Sequence, residues 1–254
     1  MREPVYYFAA DLHLGAPDYD TSRARERHFV RWLDEIAADA TALYLMGDVF
    51  DFWFEYRHVA PKGYVRLLGK LAELADAGVA LHLFVGNHDM WYRDYLTQEI
   101  AVQIHHHSQI VRLHDKVFYL AHGDGLGPGD YGYKFLKKFL RNRFIVWVFE
   151  RLHPNFGMWL ALGFSSTDRK YYHKHLLKDY GEREMLVQFA RSFHAENPDT
   201  NYFVFGHRHL PRDLEIAPDC RLIVLGDWLT DFSYLRVTAE GAQLLRFADE
   251  TRNA

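Results

Sequence analysis

Apolar runs that stop abruptly at a polar group recur along this chain. Ala42 to Met46 ends at Gly47-Asp48, and Val5 to Ala10 runs into Asp11-Leu12-His13. Ala80 to Val85 delivers Gly86-Asn87-His88-Asp89, Lys116 to Ala121 delivers His122-Gly123-Asp124, and Tyr202 to Phe205 delivers Gly206-His207-Arg208-His209. A short apolar run without alternation suits a strand covered on both faces. Between the first three runs lie stripes with a 3.6-residue period. Phe29, Val30, Leu33, Ile36 and Ala37 form one within a helix from Ser22 to Asp39, with Trp32 at its margin. Leu67, Leu68, Leu71, Leu74 and Ala75 form another within Lys62 to Ala77, and Gly78 is placed to end that helix. Strand, helix, strand, helix, strand at this spacing predicts a right-handed, mostly parallel βαβ start to an α/β fold.

The character changes after Asp124. Gly125, Gly127, Pro128 and Gly129 mark a loop. A helix is predicted from Tyr133 to Leu152, with Phe135, Leu136, Phe139 and Leu140 interleaved with Lys134, Lys137, Lys138, Arg141 and Arg143. Pro154 and Gly157 break it, an apolar patch runs from Phe156 to Phe164, and a basic helical stretch follows from about Asp168 to Lys178. Residues 125–180 therefore read as a helical insertion in a core made of 1–124 and 181–254. Basic helices with large apolar side chains are either membrane-surface elements or a packed insertion with a solvated face, and the pattern leaves both open. Glu182 to Ala195 returns to the core as a helix. Arg221 to Leu225, Tyr234 to Val237 and Gln243 to Phe247 are expected as closing antiparallel strands.

Composition narrows the function. The chain has 254 residues and a net charge of −4, so it is long enough for a full core and shows no general nucleic-acid footprint. One cysteine, Cys220, excludes an internal disulfide framework and a cysteine-rich zinc site, and fits a reducing compartment. The N-terminus enters a strand at once, so no signal peptide is expected. The longest apolar runs, Phe144 to Phe149 and Met158 to Leu162, fall far short of the roughly 20 residues a spanning helix needs.

Histidine is abundant, at 16 residues, and much of it sits where the strands end. Asp11, His13, Asp48, Asn87, His122, His207 and His209 make seven candidate ligands. One divalent ion takes about four to six donors, so seven suit two ions sharing Asp48. The i, i+2 spacing of Asp11 with His13, and of His207 with His209, would project both side chains to one side of extended backbone. Mixed nitrogen and oxygen donors suit manganese, iron or zinc. Two such ions can grip two phosphate oxygens during in-line attack by water, so hydrolysis of a phosphate ester or anhydride is the natural chemistry. His88 is a further ligand or a catalytic imidazole, and Asp51 and Asp89 could orient neighbours. The aromatic turn Phe50, Phe52, Trp53, Phe54 and Tyr56 reads as a pocket wall, with base stacking the alternative. Three consecutive histidines cannot converge on one ion from regular backbone, so His105-His106-His107 is expected as loop or strand start without a metal role. Asp227 and Trp228 also sit at a strand end and are given no metal role.

The series Asp11-x-His13, Gly47-Asp48-x-x-Asp51, Gly86-Asn87-His88-Asp89, His122 and Gly206-His207-x-His209 resembles the calcineurin-like metallophosphoesterase superfamily. That resemblance implies a two-sheet β-sandwich flanked by helices in place of a single open sheet. It implies one metal on Asp11, His13, Asp48 and His209, and a second on Asp48, Asn87, His122 and His207, with manganese as the expected ion. A narrower resemblance is to the UDP-2,3-diacylglucosamine hydrolase family of lipid A biosynthesis. It rests on Ala10-Asp11-Leu12-His13-Leu14-Gly15, on Gly47-Asp48-Val49-Phe50-Asp51-Phe52-Trp53, and on His122-Gly123-Asp124 leading into Asp130-x-x-Tyr133 and a helical insertion. That family hydrolyses its substrate at the α-phosphorus, giving UMP and 2,3-diacylglucosamine 1-phosphate, beneath a helical cap that holds the acyl chains. The implied substrate contacts are Asn87, His88, Asp130 and Tyr133, with Arg169, Lys170 and Lys174 as further contacts; many members carry Arg where this chain has His88. A UDP-linked diacylated glucosamine implies a cytoplasmic enzyme held peripherally at the inner membrane, with no nucleic-acid partner. Phe135, Phe139, Phe144, Trp147, Phe149 and Trp159 would then supply an acyl pocket or a membrane-facing rim.

Overall fold

A computed structural model describes residues 3–129, 131–163 and 180–248. β1 (Tyr6–Ala9), β2 (Ala42–Leu45) and β3 (Ala80–Phe84) are parallel neighbours joined by α1 (Tyr19–Ile36) and α2 (Val65–Asp76). α3 (Tyr95–Ile100) leads into β4 (Gln103–His105), parallel to β3. The remaining strands are β5 (Gln109–Leu113), β6 (Lys116–Leu120), β7 (Tyr202–Phe205), β8 (Arg212–Ala217), β9 (Cys220–Val224), β10 (Ser233–Thr238) and β11 (Gly241–Arg246). They form a six-stranded sheet in the order β11-β10-β1-β2-β3-β4 and a five-stranded sheet in the order β5-β6-β7-β9-β8. This is the two-sheet α/β architecture that the motif series implies.

The apolar runs without alternation are explained by what covers each face. Tyr7, Ala9, Leu43, Leu45, Leu81 and Leu83 point outward from the first sheet, onto Phe29, Trp32 and Leu33 of α1 and Leu67, Leu71 and Leu74 of α2. Phe8, Tyr44, Met46 and Phe84 point the other way, where they meet Phe118, Leu120, Val204 and Ile223 of the second sheet. The outer face of the second sheet, with Phe203, Phe205, Leu222 and Val224, is covered by Leu186, Val187 and Ala190 of α7 (Met185–Glu196). The order is therefore helix, sheet, sheet, helix, and a strand buried on both sides has no polar face to show.

Several boundaries differ from expectation. α1 begins at Tyr19 rather than Ser22, because the Asp18 side chain caps it by accepting from the Thr21 N–H at 2.9 Å. The helix expected from Tyr133 to Leu152 is broken into α4 (Tyr131–Leu140) and α5 (Arg143–Phe149), where Asn142 leaves helical geometry and caps α5 through Phe144 N. A further helical stretch, α6, covers 154–163. β9 was expected to be antiparallel and is parallel to β7. The reversal is taken by β8, an edge strand whose alternating charges hid it in the sequence. The stretch from about Asp168 to Lys178 lies outside the described residues.

α4 and α5 are fastened to the core at two places. Tyr133 and Lys137 of α4 both reach the buried carboxylate of Asp124, each at 2.6 Å. At the other end, Trp91 Nε1 donates to the Leu140 carbonyl at 3.1 Å, and Arg93 pairs with Glu150 at 2.9 Å. Phe149 inserts beside Phe52, Phe54 and Trp91, so the aromatic turn after β2 serves as a packing wall. Large apolar side chains of α4, α5 and α6 face outward: Phe135 is 74 % exposed, Phe144 66 % and Trp159 69 %.

Phe8 joins the two sheets, stacking on Tyr44 at 4.6 Å and on Phe118 at 6.5 Å. It has no exposed surface. Phe8→Ala should lower the unfolding free energy by about 3–5 kcal/mol, read from the urea midpoint. An unchanged midpoint would mean that the sheets are not held together here.

Candidate active site

Five strands, β1, β2, β3, β6 and β7, end on one side of the molecule, and the candidate ligands gather there. Asp11 Oδ1 lies 3.5 Å from His209 Nε2 and 3.8 Å from His13 Nε2, and those two imidazole nitrogens are 3.3 Å apart. Asn87 Oδ1 lies 3.2 Å from His122 Nε2 and 3.0 Å from His207 Nδ1. Asp48 Oδ2 stands between the two groups, 3.7 Å from His13 Nε2 and 3.4 Å from His122 Nε2. The structure thus brings together all seven candidates in two sets that share Asp48.

The pleat of a strand does not produce this convergence, which corrects the i, i+2 expectation. Asp11, His13, Asp48, His207 and His209 all have positive φ, between 44° and 67°. Each lies beyond its strand in left-handed backbone, which costs a non-glycine residue roughly 1–3 kcal/mol. Hydrogen bonds hold them there. Asp11 N and His13 N donate to the carbonyls of Gly47 and Asp48, and His207 N donates to Asp11 Oδ2 at 2.8 Å. Arg25, buried under the loop, donates to the carbonyls of Leu12, His13 and Ala16 at 2.8–3.0 Å. Asp89 accepts from Val49 N, Gly86 N and the Tyr92 hydroxyl at 2.7–2.8 Å, and so ties the loop after β2 to the loop after β3.

Two glycines allow the loops to interleave. Gly47 has φ +99°, and a side chain there would meet the His122 ring at 2.5 Å. At Gly86 a Cβ would collide with the Asp48 carboxylate itself.

The electrostatics suit a cation. Burial alone would push His13 and His122 toward neutrality, yet the surrounding carboxylates outweigh it and raise both pKa values to about 10. For His13 these are Asp11, Asp51 and Asp48; for His122, mainly Asp48. Asp48 is pulled well below the ordinary carboxylate range, against its burial, by His122, His88 and His13. His207 moves the other way, down to about 4, through burial and the charge of His122. Asp89 is raised to about 6 by burial and by Asp48. Asp11 Oδ1 is buried without a hydrogen-bond partner, the state expected of an atom that faces a positive ion. The His122 Nδ1–H donates to the Met46 carbonyl at 2.8 Å, which turns Nε2 toward Asp48 and Asn87. Donor set, charge and this orphaned oxygen all fit divalent metal.

His88 stands beside these groups, its ring edge-on to His13 at 4.8 Å and its backbone N–H donating to Asp48 Oδ1 at 2.9 Å. Its Nδ1 faces Asp51, 3.3 Å from the carbonyl and 3.8 Å from Oδ1. Tyr133 reaches the site through Asp124, to which its hydroxyl donates. Asp130, Arg169, Lys170 and Lys174 lie outside the described residues. His105 ends β4, where its Nε2 lies 3.1 Å from His82 Nδ1 on the side facing the sandwich interior. Among the described residues none of the His105-His106-His107 run joins the ligand groups. The sequence reading passed over Asp227, whose Oδ2 lies 3.2 Å from His209 Nδ1. A signal was there, because Arg221 to Leu225 ends in Gly226-Asp227 just as Ala42 to Met46 ends in Gly47-Asp48.

A family model described as calcineurin-like phosphoesterase matches residues 5–211. A Porphyromonas gingivalis protein named UDP-2,3-diacylglucosamine hydrolase is 39% identical over 246 residues, covering 92% of this chain and 94% of its own. Proteins of the same name from Edwardsiella ictaluri and Proteus mirabilis are each 28% identical over 94% of this chain, covering 90% and 98% of their own lengths.

Two outcomes follow from the geometry. Gly86→Ala should displace Asp48 and abolish binding of two divalent ions per chain, measured by metal analysis after dialysis; full occupancy would show that the loops have room to part. With His13 and His122 protonated up to about pH 10 in the cation-free protein, a cation must displace protons. Affinity should therefore rise with pH through neutrality, and calorimetry in buffers of different ionisation enthalpy should detect proton release. Buffer-independent heats would contradict this.

Proposed function

The chain belongs to the calcineurin-like phosphoesterase family, and on that footing we propose that it hydrolyses the pyrophosphate of UDP-2,3-diacylglucosamine at the α-phosphorus. The products are UMP and 2,3-diacylglucosamine 1-phosphate. The observation that carries the chemistry is the gathering of Asp11, His13, Asp48, Asn87, His122, His207 and His209, with Asp11 Oδ1 buried and unpaired among them. The substrate comes from the relatives of that name, which align along nearly the whole chain.

In this reading Asp11, His13, Asp48 and His209 hold one divalent ion, and Asp48, Asn87, His122 and His207 hold the other. The donors are nitrogen and oxygen without sulfur, which suits manganese, iron or zinc alike, and manganese is the ion the family resemblance implies. When bound, the two ions supply Lewis acidity to phosphoryl oxygens and make water nucleophilic at neutral pH. A bond then forms from water oxygen to the α-phosphorus, and the bond from that phosphorus to the bridging oxygen breaks. The leaving sugar phosphate departs with that oxygen. His88, held through Nδ1 against Asp51, presents its other ring nitrogen for stabilising the developing charge or protonating the bridging oxygen. Asp51 and Asp89 position their neighbours and do not touch substrate.

Residues 125–180 act as a cap on the core of 1–124 and 181–254, and Asp124, which feels the charge of His122, joins the two by holding Tyr133 and Lys137. Tyr133 with Asp130, Asn87 and His88, and the basic residues Arg169 and Lys170, contact the substrate. No helix among the described residues is long and apolar enough to cross a membrane. The outward aromatic side chains of α4, α5 and α6 lie among Lys134, Lys138, Arg143 and Arg151, a combination suited to acyl chains and anionic lipid headgroups. The enzyme works from the cytoplasm, peripherally at the inner membrane.

The decisive assay is UMP release with manganese from UDP-2,3-diacylglucosamine beside unacylated UDP-N-acetylglucosamine. A strong preference for the acylated substrate is expected; turnover of a generic phosphodiester alone would discard the lipid. Asp48→Ala should lose activity and metal together. His88→Ala should keep both metals and lose activity about 10²–10⁴-fold; a fully active variant would remove His88 from the chemistry.

A further inference from the structure

We infer that Asp227 is a positioning residue for His209, and that through it the cation position at Asp11, His13 and His209 binds more tightly than the position at Asn87, His122 and His207. The inference rests on the dinuclear reading above and goes beyond it to the inequality of the two positions. Asp227 is buried at the end of β9, and its carboxylate is fully engaged. Oδ1 accepts from the backbone N–H groups of Leu229, Thr230 and Asp231 at 2.8–3.1 Å, and from the Thr230 hydroxyl at 3.2 Å. That fixes the plane of the carboxylate and leaves Oδ2 for His209 Nδ1, at 3.2 Å. A carboxylate in this place keeps the proton on Nδ1. The lone pair of Nε2 then points at Asp11 Oδ1 and His13 Nε2. The same turn holds a second donor of the same group, because the Trp228 N–H donates to the Asp11 carbonyl at 3.1 Å.

The other group is built differently. Behind His122 stands a neutral acceptor, the Met46 carbonyl at 2.8 Å, where His209 has a full negative charge. Asn87 contributes a neutral oxygen where the first group has Asp11. Asp51 adds a further carboxylate near His13, 3.7 Å from Nδ1. Asp124 lies close enough to His122 and His207 to feel their charge, but Lys137 at 2.6 Å answers its own. More anionic charge, with His209 held by a carboxylate where His122 has only a neutral carbonyl, therefore favours the Asp227 side.

The test is a manganese titration of the full-length, metal-stripped chain without substrate, following free manganese by electron paramagnetic resonance. Wild type should show two classes of site. Asp227→Asn should weaken the tighter class about 10–100-fold and leave the weaker class in place. The backbone N–H groups of the turn require the amide oxygen at Oδ1, so the NH2 faces His209 Nδ1 and turns the imidazole to the wrong tautomer. Asp227→Ser retains an oxygen to cap the turn but cannot reach His209; it should do the same, and it carries the test if the asparagine variant does not fold. His209→Ala should remove the same class, and the double variant should be no worse than His209→Ala. A merely structural role would instead lower the melting temperature of the metal-free protein and weaken both classes alike. That result, or an unchanged isotherm in a folded variant, overturns the inference while leaving two ions per wild-type chain. Wild type that binds fewer than two ions overturns the dinuclear reading, and this inference with it.

Discussion

Five donor residues held in left-handed backbone define what the rest of the loop structure must do. Carboxylates and imidazoles packed at 3–4 Å lose their hydration, and the φ values of Asp11, His13, Asp48, His207 and His209 add strain on top. Nothing local to a dipeptide can hold such an arrangement. It is held because each loop is bound to another: Asp11 to Gly47 and His207, His13 to Asp48 and Arg25, and the loop after β2 to Asp89. The sandwich behind them contributes a rigid base of packed aromatic and aliphatic side chains. Without a cation, protons on His13 and His122 balance the carboxylates, and a divalent ion takes over that charge, so the fold and the chemistry meet at the same electrostatic problem.

Much of this was legible because a strand buried on both faces must end where polar groups begin. Ala42 to Met46 followed by Gly47-Asp48 carries both facts in seven residues, and repetition of the pattern located the site. The second sheet was less legible. β8 and β5 alternate polar with apolar residues at sheet edges and present no continuous run, and without β8 the direction of β9 could not be deduced. The backbone turns of Asp11 and His207 were invisible for another reason. Left-handed conformation is normally signalled by glycine or asparagine, and here the functional side chain is needed at the strained position itself. Asp227 was legible as a strand-end carboxylate but not as a support for His209, because such a residue is recognised by what it touches, and His209 is 18 residues away.

The helices beyond Asp124 depend on the same site from the other direction. Tyr133 and Lys137 are oriented by a carboxylate that stands beside His122, and the Phe149 socket is made by the turn that follows Asp48. Position of α4 and α5 is thereby referred to the ligand-bearing loops at both ends. Their outward aromatic residues, Phe135 and Phe144 among them, stay exposed among the described residues.

The strand order also has a consequence for how the chain is made. β1 lies between β2 and β10, so one side of the first strand synthesised is completed by one of the last. At ordinary translation rates the interval between them is on the order of tens of seconds. Throughout it the nascent sheet presents an open parallel edge at β1, and Asp11 waits for His207, His209 and the turn at Trp228 to close around it. Five of the seven candidate ligands emerge before His207 and His209, and dependence on chaperone shielding should be greatest before residue 233 emerges.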